Sequence, residues 1–191
     1  MSALSIGCVL LAAGNSSRFG CNKLDCEFRG KTLIQRAMDA IPADTFSETA
    51  VVTQYPEIAN LAREHRFFTV INSRPDLGQS HSIHLGLDTL RDCTAVMFMV
   101  ADQPCLTAES VGSLVKFYRQ HPDHIVALGH NGVRGNPCIF PARFFSELME
   151  IRGDCGGNVV IRRHEDDLLL WDVAPAQLSD IDTPSALKAL E

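Results

Sequence analysis

Val9-Leu10-Leu11-Ala12-Ala13-Gly14-Asn15-Ser16-Ser17-Arg18-Phe19-Gly20-Cys21-Asn22-Lys23 is the stretch on which the reading of this chain turns. It starts inside an apolar run, residues 6–12, that reads as a buried strand. It then breaks into a loop of Gly, Asn and Ser, which can turn sharply and present backbone N–H groups to an anion. Two cations follow, Arg18 and Lys23. Together they suggest a polyphosphate held by backbone donors, with Arg as a fork and Lys as a point charge. The loop is not a Walker A loop, because no Gly-Lys-Ser/Thr closes it. It is not Gly-x-Gly-x-x-Gly either, so a Rossmann dinucleotide site is not supported.

The 191 residues are 46% hydrophobic, which suits one domain, 1–191, with a sizeable core. The formal net charge is −6, whereas a nucleic-acid binder usually carries a basic face. A local cluster such as Arg18, Lys23 and Lys31 can still serve a small polyanion. No apolar stretch reaches the roughly 18–20 residues a membrane helix needs, and no signal peptide is visible. The seven cysteines contain no Cys-x-x-Cys, so free thiols and a cytoplasmic setting are expected.

Beyond the loop, apolar runs alternate with amphipathic ones, the mark of βα units and a largely parallel sheet. Thr32 is placed to cap a helix carrying Leu33, Ile34, Ala37, Met38 and Ile41. Residues 49–53 and 68–72 read as strands, with a helix opening at Pro56 between them. In the loop at residues 73–80, Ser80 or Ser82 is expected to cap the next helix, whose N–H groups would then point at a ligand. His81 and His84 sit three apart there, and without a third ligand they read as packing or solvent-facing residues. Residues 95–100 are apolar on both faces, as a central parallel strand requires. The run ends at Ala101-Asp102-Gln103-Pro104, where open α/β sheets bind ligands. Thr107 suits the cap of the following helix, which leaves Asp102 for a metal. Residues 132–137 read as a turn leading into a strand at 138–140. The final helix is expected from about Pro184 with Thr183 or Asp182 as its cap, and Asp182 reads equally as that cap and as a second carboxylate.

The motifs in order are Leu-Ala-Ala-Gly…Lys, Gly-Gln-Ser-x-Ser, Ala-Asp-Gln-Pro, Gly-x-x-Gly-Asn-Pro, Gly-Asp-x-Gly and Asp-Ile-Asp-Thr-Pro. This order, over about residues 6–186, resembles the molybdenum cofactor cytidylyltransferases. The resemblance implies a three-layer, Rossmann-like nucleotidyltransferase fold of the GT-A type with a mostly parallel sheet. It implies Mg²⁺-dependent transfer of CMP from CTP to the phosphate of molybdopterin, releasing pyrophosphate, with a recipient molybdoenzyme as a further partner. Carried over residue by residue, Leu11, Ala12, Ala13, Gly14 and Arg18 contact the triphosphate, and Lys23 neutralises charge there. Gln79, Ser80 and Ser82 approach the nucleoside. Asp102 and Asp182 hold the metal, with Arg18, Lys23 and Asp102 as the catalytic set. Gly135, Asn136, Pro137, Gly153 and Asp154 line the acceptor side.

Three departures stand out. Asn22 replaces the usual Pro before the Lys, and Gln79 replaces Met. Gly156-Gly157-Asn158 stands where many relatives read Gly-Ala-Arg, which removes an expected cation near the acceptor. Two other readings stay open: transfer to another small phosphate, such as methylerythritol phosphate or a sugar phosphate, and a non-catalytic nucleotide-binding relative.

Overall fold

The computed structural model describes residues 4–15, 19 and 22–190. Arg18, one of the expected phosphate ligands, lies outside the described residues.

The chain opens with β1 (Ile6–Ala12), followed by a short hairpin of β2 (Glu27–Phe28) and β3 (Lys31–Thr32) and by helix α1 (Leu33–Asp39). Then come β4 (Glu48–Thr53), α2 (Pro56–Glu64), β5 (Phe68–Ile71), α3 (Gln79–Thr89) and β6 (Ala95–Val100). The second half holds α4 (Ala108–Gln120), β7 (Ile125–His130), β8 (Val133–Pro141), α5 (Phe145–Glu150), α6 (Asn158–Arg163), β9 (Leu168–Asp172) and α7 (Pro184–Leu190).

Seven strands form one sheet in the order β5-β4-β1-β6-β8-β7-β9. Strand β8 runs antiparallel to both β6 and β7; the other pairings are parallel. Two hydrophobic clusters cover the two faces. One gathers α1, α2 and α4, the other α3, α5 and α6, so the architecture is three-layered and mostly parallel, as expected. Alternation along β1 makes both layers possible: Cys8, Leu10 and Ala12 face the first cluster and Val9 the second. Val9, Leu10, Met97 and Met99 are fully buried, which explains why these strands read as continuous apolar runs.

Local signals explain most boundaries. Thr32 accepts from the Gln35 backbone while the Gln35 side chain returns the bond, closing a capping box. Pro56 occupies the first turn of α2, and Thr107 caps α4 through the Ser110 N–H. Two expectations are corrected. Neither Ser80 nor Ser82 caps α3, which begins from Gly78 without a side-chain cap. Residues 133–137 are not a turn but the first half of β8, paired with β7 across a register shift between Ala127 and Gly129. A bulge of this kind breaks strict alternation, which hides the strand in the sequence.

No described helix is long and apolar enough to cross a membrane. The described cysteines are all free thiols.

Candidate active site

Strands β1, β4 and β6 are neighbours and parallel, so their carboxyl ends emerge together. A cleft of about 610 Å³ opens there, walled by Leu11, Ala12, Ala13 and Gly14, by Lys23, Gln79 and Ser82, and by Asp102, Asp154 and Asp182. Most of the expected nucleotide and metal residues are therefore brought to one place.

The loop after β1 is held by the end of β4. Thr53 Oγ1 donates to the Ala12 carbonyl at 3.0 Å, Gln54 Nε2 to the Ala13 carbonyl at 2.9 Å and Tyr55 Oη to the Gly14 carbonyl at 2.8 Å. Three successive carbonyls are thus satisfied by the end of β4 and the two residues after it, which fixes the loop backbone beside the cleft. Gly14 needs glycine neither for a positive φ nor to avoid a neighbour, since an added Cβ would meet nothing within 4 Å. Gln54 and Tyr55 were not foreseen, because only the strand order reveals that the end of β4 lies beside this loop.

Asp102 follows β6 and is joined to the Asp182 segment through Ile181, the residue just before Asp182. The Ile181 N–H donates to the Asp102 carbonyl at 2.9 Å, and the Ile181 side chain is fully buried. Thr183, not Asp182, caps α7, its hydroxyl accepting from the Ala186 N–H at 3.2 Å. The Asp182 carboxylate turns instead to Lys23. The Lys23 ammonium donates to Asp102 Oδ2 at 2.6 Å, to the Ile181 carbonyl at 2.9 Å and to Asp182 Oδ1 at 3.3 Å. Burial disfavours the charge on Lys23, but the bonds to Asp102 and Asp182 outweigh it and the net shift of its pKa is upward. Lys23 is therefore an ammonium throughout the neutral range.

The second oxygen of Asp102, Oδ1, is buried and has no hydrogen-bond partner among the described residues. A buried carboxylate oxygen left unsatisfied at a cleft wall fits a hard cation. No three His, Cys, Asp or Glu side chains converge on a metal position among the described residues. His81 and His84 form no such centre; His84 Nε2 contacts the Leu148 carbonyl at 3.1 Å.

The Gly-Gln-Ser segment and the Gly-Asp-x-Gly turn meet. Ser80 N–H donates to the Gly153 carbonyl at 3.2 Å and Gln79 N–H to Asp154 Oδ1 at 3.4 Å. The first N–H groups of α3 are thus spent on this turn, a correction to their expected direction toward a ligand. Ser82 lines the cleft and accepts from buried Asn72 at 3.0 Å, whereas Ser80 is buried and forms no part of the wall. Asn136 and Asp154 reach a second, adjoining cavity. Gly135 does not: an added Cβ there would lie 2.8 Å from Leu178 Cδ2, so it is a packing glycine.

Gly78 has φ +84°, and an added Cβ would overlap the backbone of Gly153. Gly153 has φ +72° but open surroundings. Strain at a positive φ costs roughly 1–3 kcal/mol, and a domain of this size loses about 2–4 °C of Tm per kcal/mol. Gly153→Ala should show that strain alone. Gly78→Ala should lower Tm further and weaken nucleotide binding, because the turn and α3 are forced apart. Equal Tm losses in the two variants would show that the contact relaxes at no cost.

A mostly parallel three-layer sheet, a glycine loop after its first strand and an acidic pair at the carboxyl edge together define a nucleotidyltransferase. The chain belongs to the family of the MobA-like NTP transferase domain, whose model matches residues 8–168. It is 23% identical over 189 residues to the purine catabolism protein PucB of Bacillus subtilis, covering 92% of this chain and 91% of PucB. Among solved structures, Rv0371c of Mycobacterium tuberculosis superposes with a TM-score of 0.77 at 22% identity, covering 100% of this chain and 98% of that one. Another structure of Rv0371c is a complex with manganese. The molybdopterin-guanine dinucleotide biosynthesis protein A of Archaeoglobus fulgidus gives a TM-score of 0.69 at 18% identity, covering 97% of this chain and 96% of that one. At these identities the structures speak for the fold.

Proposed function

We propose that this nucleotidyltransferase moves CMP from CTP to the phosphate of molybdopterin in the presence of Mg²⁺ and releases pyrophosphate. The observation that carries the reaction is the Lys23–Asp102–Asp182 cluster beside the Ala12–Gly14 backbone, with Asp102 Oδ1 unpartnered among the described residues. The acceptor rests on the motif order in the sequence, and the Archaeoglobus relative, named for a molybdopterin dinucleotide, supports it.

The transfer forms a bond from an acceptor phosphate oxygen to the α-phosphorus of CTP. The α–β bridging bond breaks in line, and its electron pair leaves on pyrophosphate. Both reactants are anions, so the site must gather positive charge. The loop N–H groups at residues 12–14 bind and orient the triphosphate. Lys23 supplies a fixed ammonium, and its effect grows as charge moves onto the leaving pyrophosphate. Asp102 and Asp182 would hold a divalent cation, with phosphate oxygens completing its shell. When bound, that cation screens the phosphates and polarises the phosphorus under attack. The manganese complex of Rv0371c is in keeping with such a site.

Pyrophosphate release measured with CTP, GTP, ATP and UTP, each with and without molybdopterin, tests the whole reading. Release that requires both CTP and molybdopterin is expected. Release with methylerythritol phosphate or a sugar phosphate, and none with molybdopterin, would replace the acceptor.

Ala13 is the basis for the choice of base. It is 7% exposed, lines the cleft, and its methyl group narrows the space beside the loop. A purine is larger than a pyrimidine, so CTP is expected to be preferred over GTP. One methyl group typically discriminates by only about 1–3 kcal/mol, so Ala13→Gly should relax the preference without reversing it. Competition between CTP and GTP reads this directly. GTP winning on the unmodified protein would make it a guanylyltransferase.

A further inference from the structure

Beside the nucleotide cleft lies a second cavity of about 210 Å³. The two share Leu11, Gln79, Val100 and Asp154 in their walls, so whatever occupies one adjoins the other. Ile83, Phe98 and Phe140 give the second cavity apolar walls, and Asn136 and Asn158 give it polar edges. That combination suits a flat, polar-edged heterocycle.

Arg134 is the one cation in this lining among the described residues. It is half-buried on β8, and its side-chain bond goes from Nη1 to Cys138 Sγ at 3.7 Å. Sulfur is a weak acceptor. Burial pushes the Cys138 thiol up, against the smaller opposing effect of Arg134, so that sulfur stays neutral and offers no counter-charge. Asp154 lines the same cavity, yet Arg134 forms no ion pair with it or with any other described carboxylate. No Arg134 nitrogen is among the described buried atoms that lack a partner, so the guanidinium stays open to solvent in the cavity and free to take an anion from a ligand. Its fork fits two oxygens of a phosphate.

We propose that Arg134 binds the phosphomonoester of the acceptor in this second cavity, with the acceptor's ring system between the apolar walls. The proposal rests on the reading above for the kind of acceptor and adds the residue that selects it. It also supplies the positive charge that Gly156-Gly157-Asn158 fails to provide. Arg134 was passed over in the sequence because residues 132–137 read as a turn.

Fluorescence titration with 6-hydroxymethylpterin monophosphate and its unphosphorylated alcohol tests the site without catalysis. The unmodified protein should bind the phosphate form at least tenfold more tightly than the alcohol. Arg134→Gln should remove that difference and Arg134→Lys should keep part of it, while CTP affinity measured with Mn²⁺ moves less than twofold. No phosphate preference in the unmodified protein, or an undiminished one in Arg134→Gln, overturns the proposal. If Arg134→Gln does not fold, an undiminished preference in Arg134→Lys overturns it instead. Pyrophosphate release with CTP and molybdopterin separates the two readings. Its absence beside an Arg134-dependent phosphate preference removes the reaction and keeps the site. Its presence with full efficiency in Arg134→Gln removes the site and keeps the reaction.

Discussion

Asp102→Asn is expected to abolish pyrophosphate release and leave the protein folded. The two halves of this expectation rest on different atoms. The backbone of Asp102 carries the structural role, its carbonyl accepting from the Ile181 N–H at 2.9 Å, and the substitution does not touch it. The side chain carries the charge. Its Oδ2 pairs with Lys23 at 2.6 Å, while Oδ1 is buried without a partner among the described residues. A carboxamide of the same shape keeps an acceptor for Lys23 but loses the negative charge that a hard cation needs. Asp182 cannot replace it: that side chain is 61% exposed, against 19% for Asp102, and its charge is correspondingly screened. Losing a metal–phosphate clamp costs several kcal/mol in the transition state, about a hundredfold or more in rate. Pyrophosphate release and thermal unfolding, measured together, check both halves. Near-normal turnover would remove Asp102 from the mechanism.

The two carboxylates were legible in the sequence for different reasons. Asp102 follows an uninterrupted apolar strand, and a polar residue at that edge has few structural uses. Asp182 was ambiguous, because a residue two before the first proline of a helix is also a natural cap. Of the two candidate caps the structure selects Thr183, which leaves the neighbouring carboxylate facing Lys23. Residues whose role depends on which strands are neighbours were not legible. Gln54 and Tyr55 directly follow β4, 41 residues along the chain from the loop carbonyls they brace, and nothing local marks them. Ser82 illustrates a wrong choice between two plausible roles. Ser, Thr, Asn and Asp favour caps, but a buried Asn72 made a better partner for the hydroxyl, and Gly78 began the helix instead. The strand at 133–137 was hidden by Gly135 and Pro137, which ordinarily punctuate turns, and by the register shift opposite them. Arg134 was overlooked with it.

Lys23→Ala is expected to lower turnover as well as nucleotide affinity. The Lys23 side chain is 15% exposed and its ammonium spans Asp102, Asp182 and the Ile181 carbonyl, so it is held in place by three acceptors from the two segments that frame the cleft. A charge fixed in this way needs little reorganisation as the reaction proceeds. Its attraction for the phosphates is greatest when the α–β bond is breaking and pyrophosphate gains charge. Removing it therefore withdraws more stabilisation from the transition state than from bound CTP. Loss of one preorganised donor of this kind commonly costs about a hundredfold or more in kcat. The substitution also leaves two carboxylates facing each other, which makes some loss of Tm part of the expectation. Stability alone cannot mimic the kinetic result, because rates measured well below the new Tm report only the folded enzyme. Lys23→Arg separates charge from shape: it keeps the charge but not the compact geometry, and should retain part of kcat. If Lys23→Ala raises only the KM for CTP and leaves kcat intact, the ammonium binds ground state and transition state alike, and its catalytic role is lost.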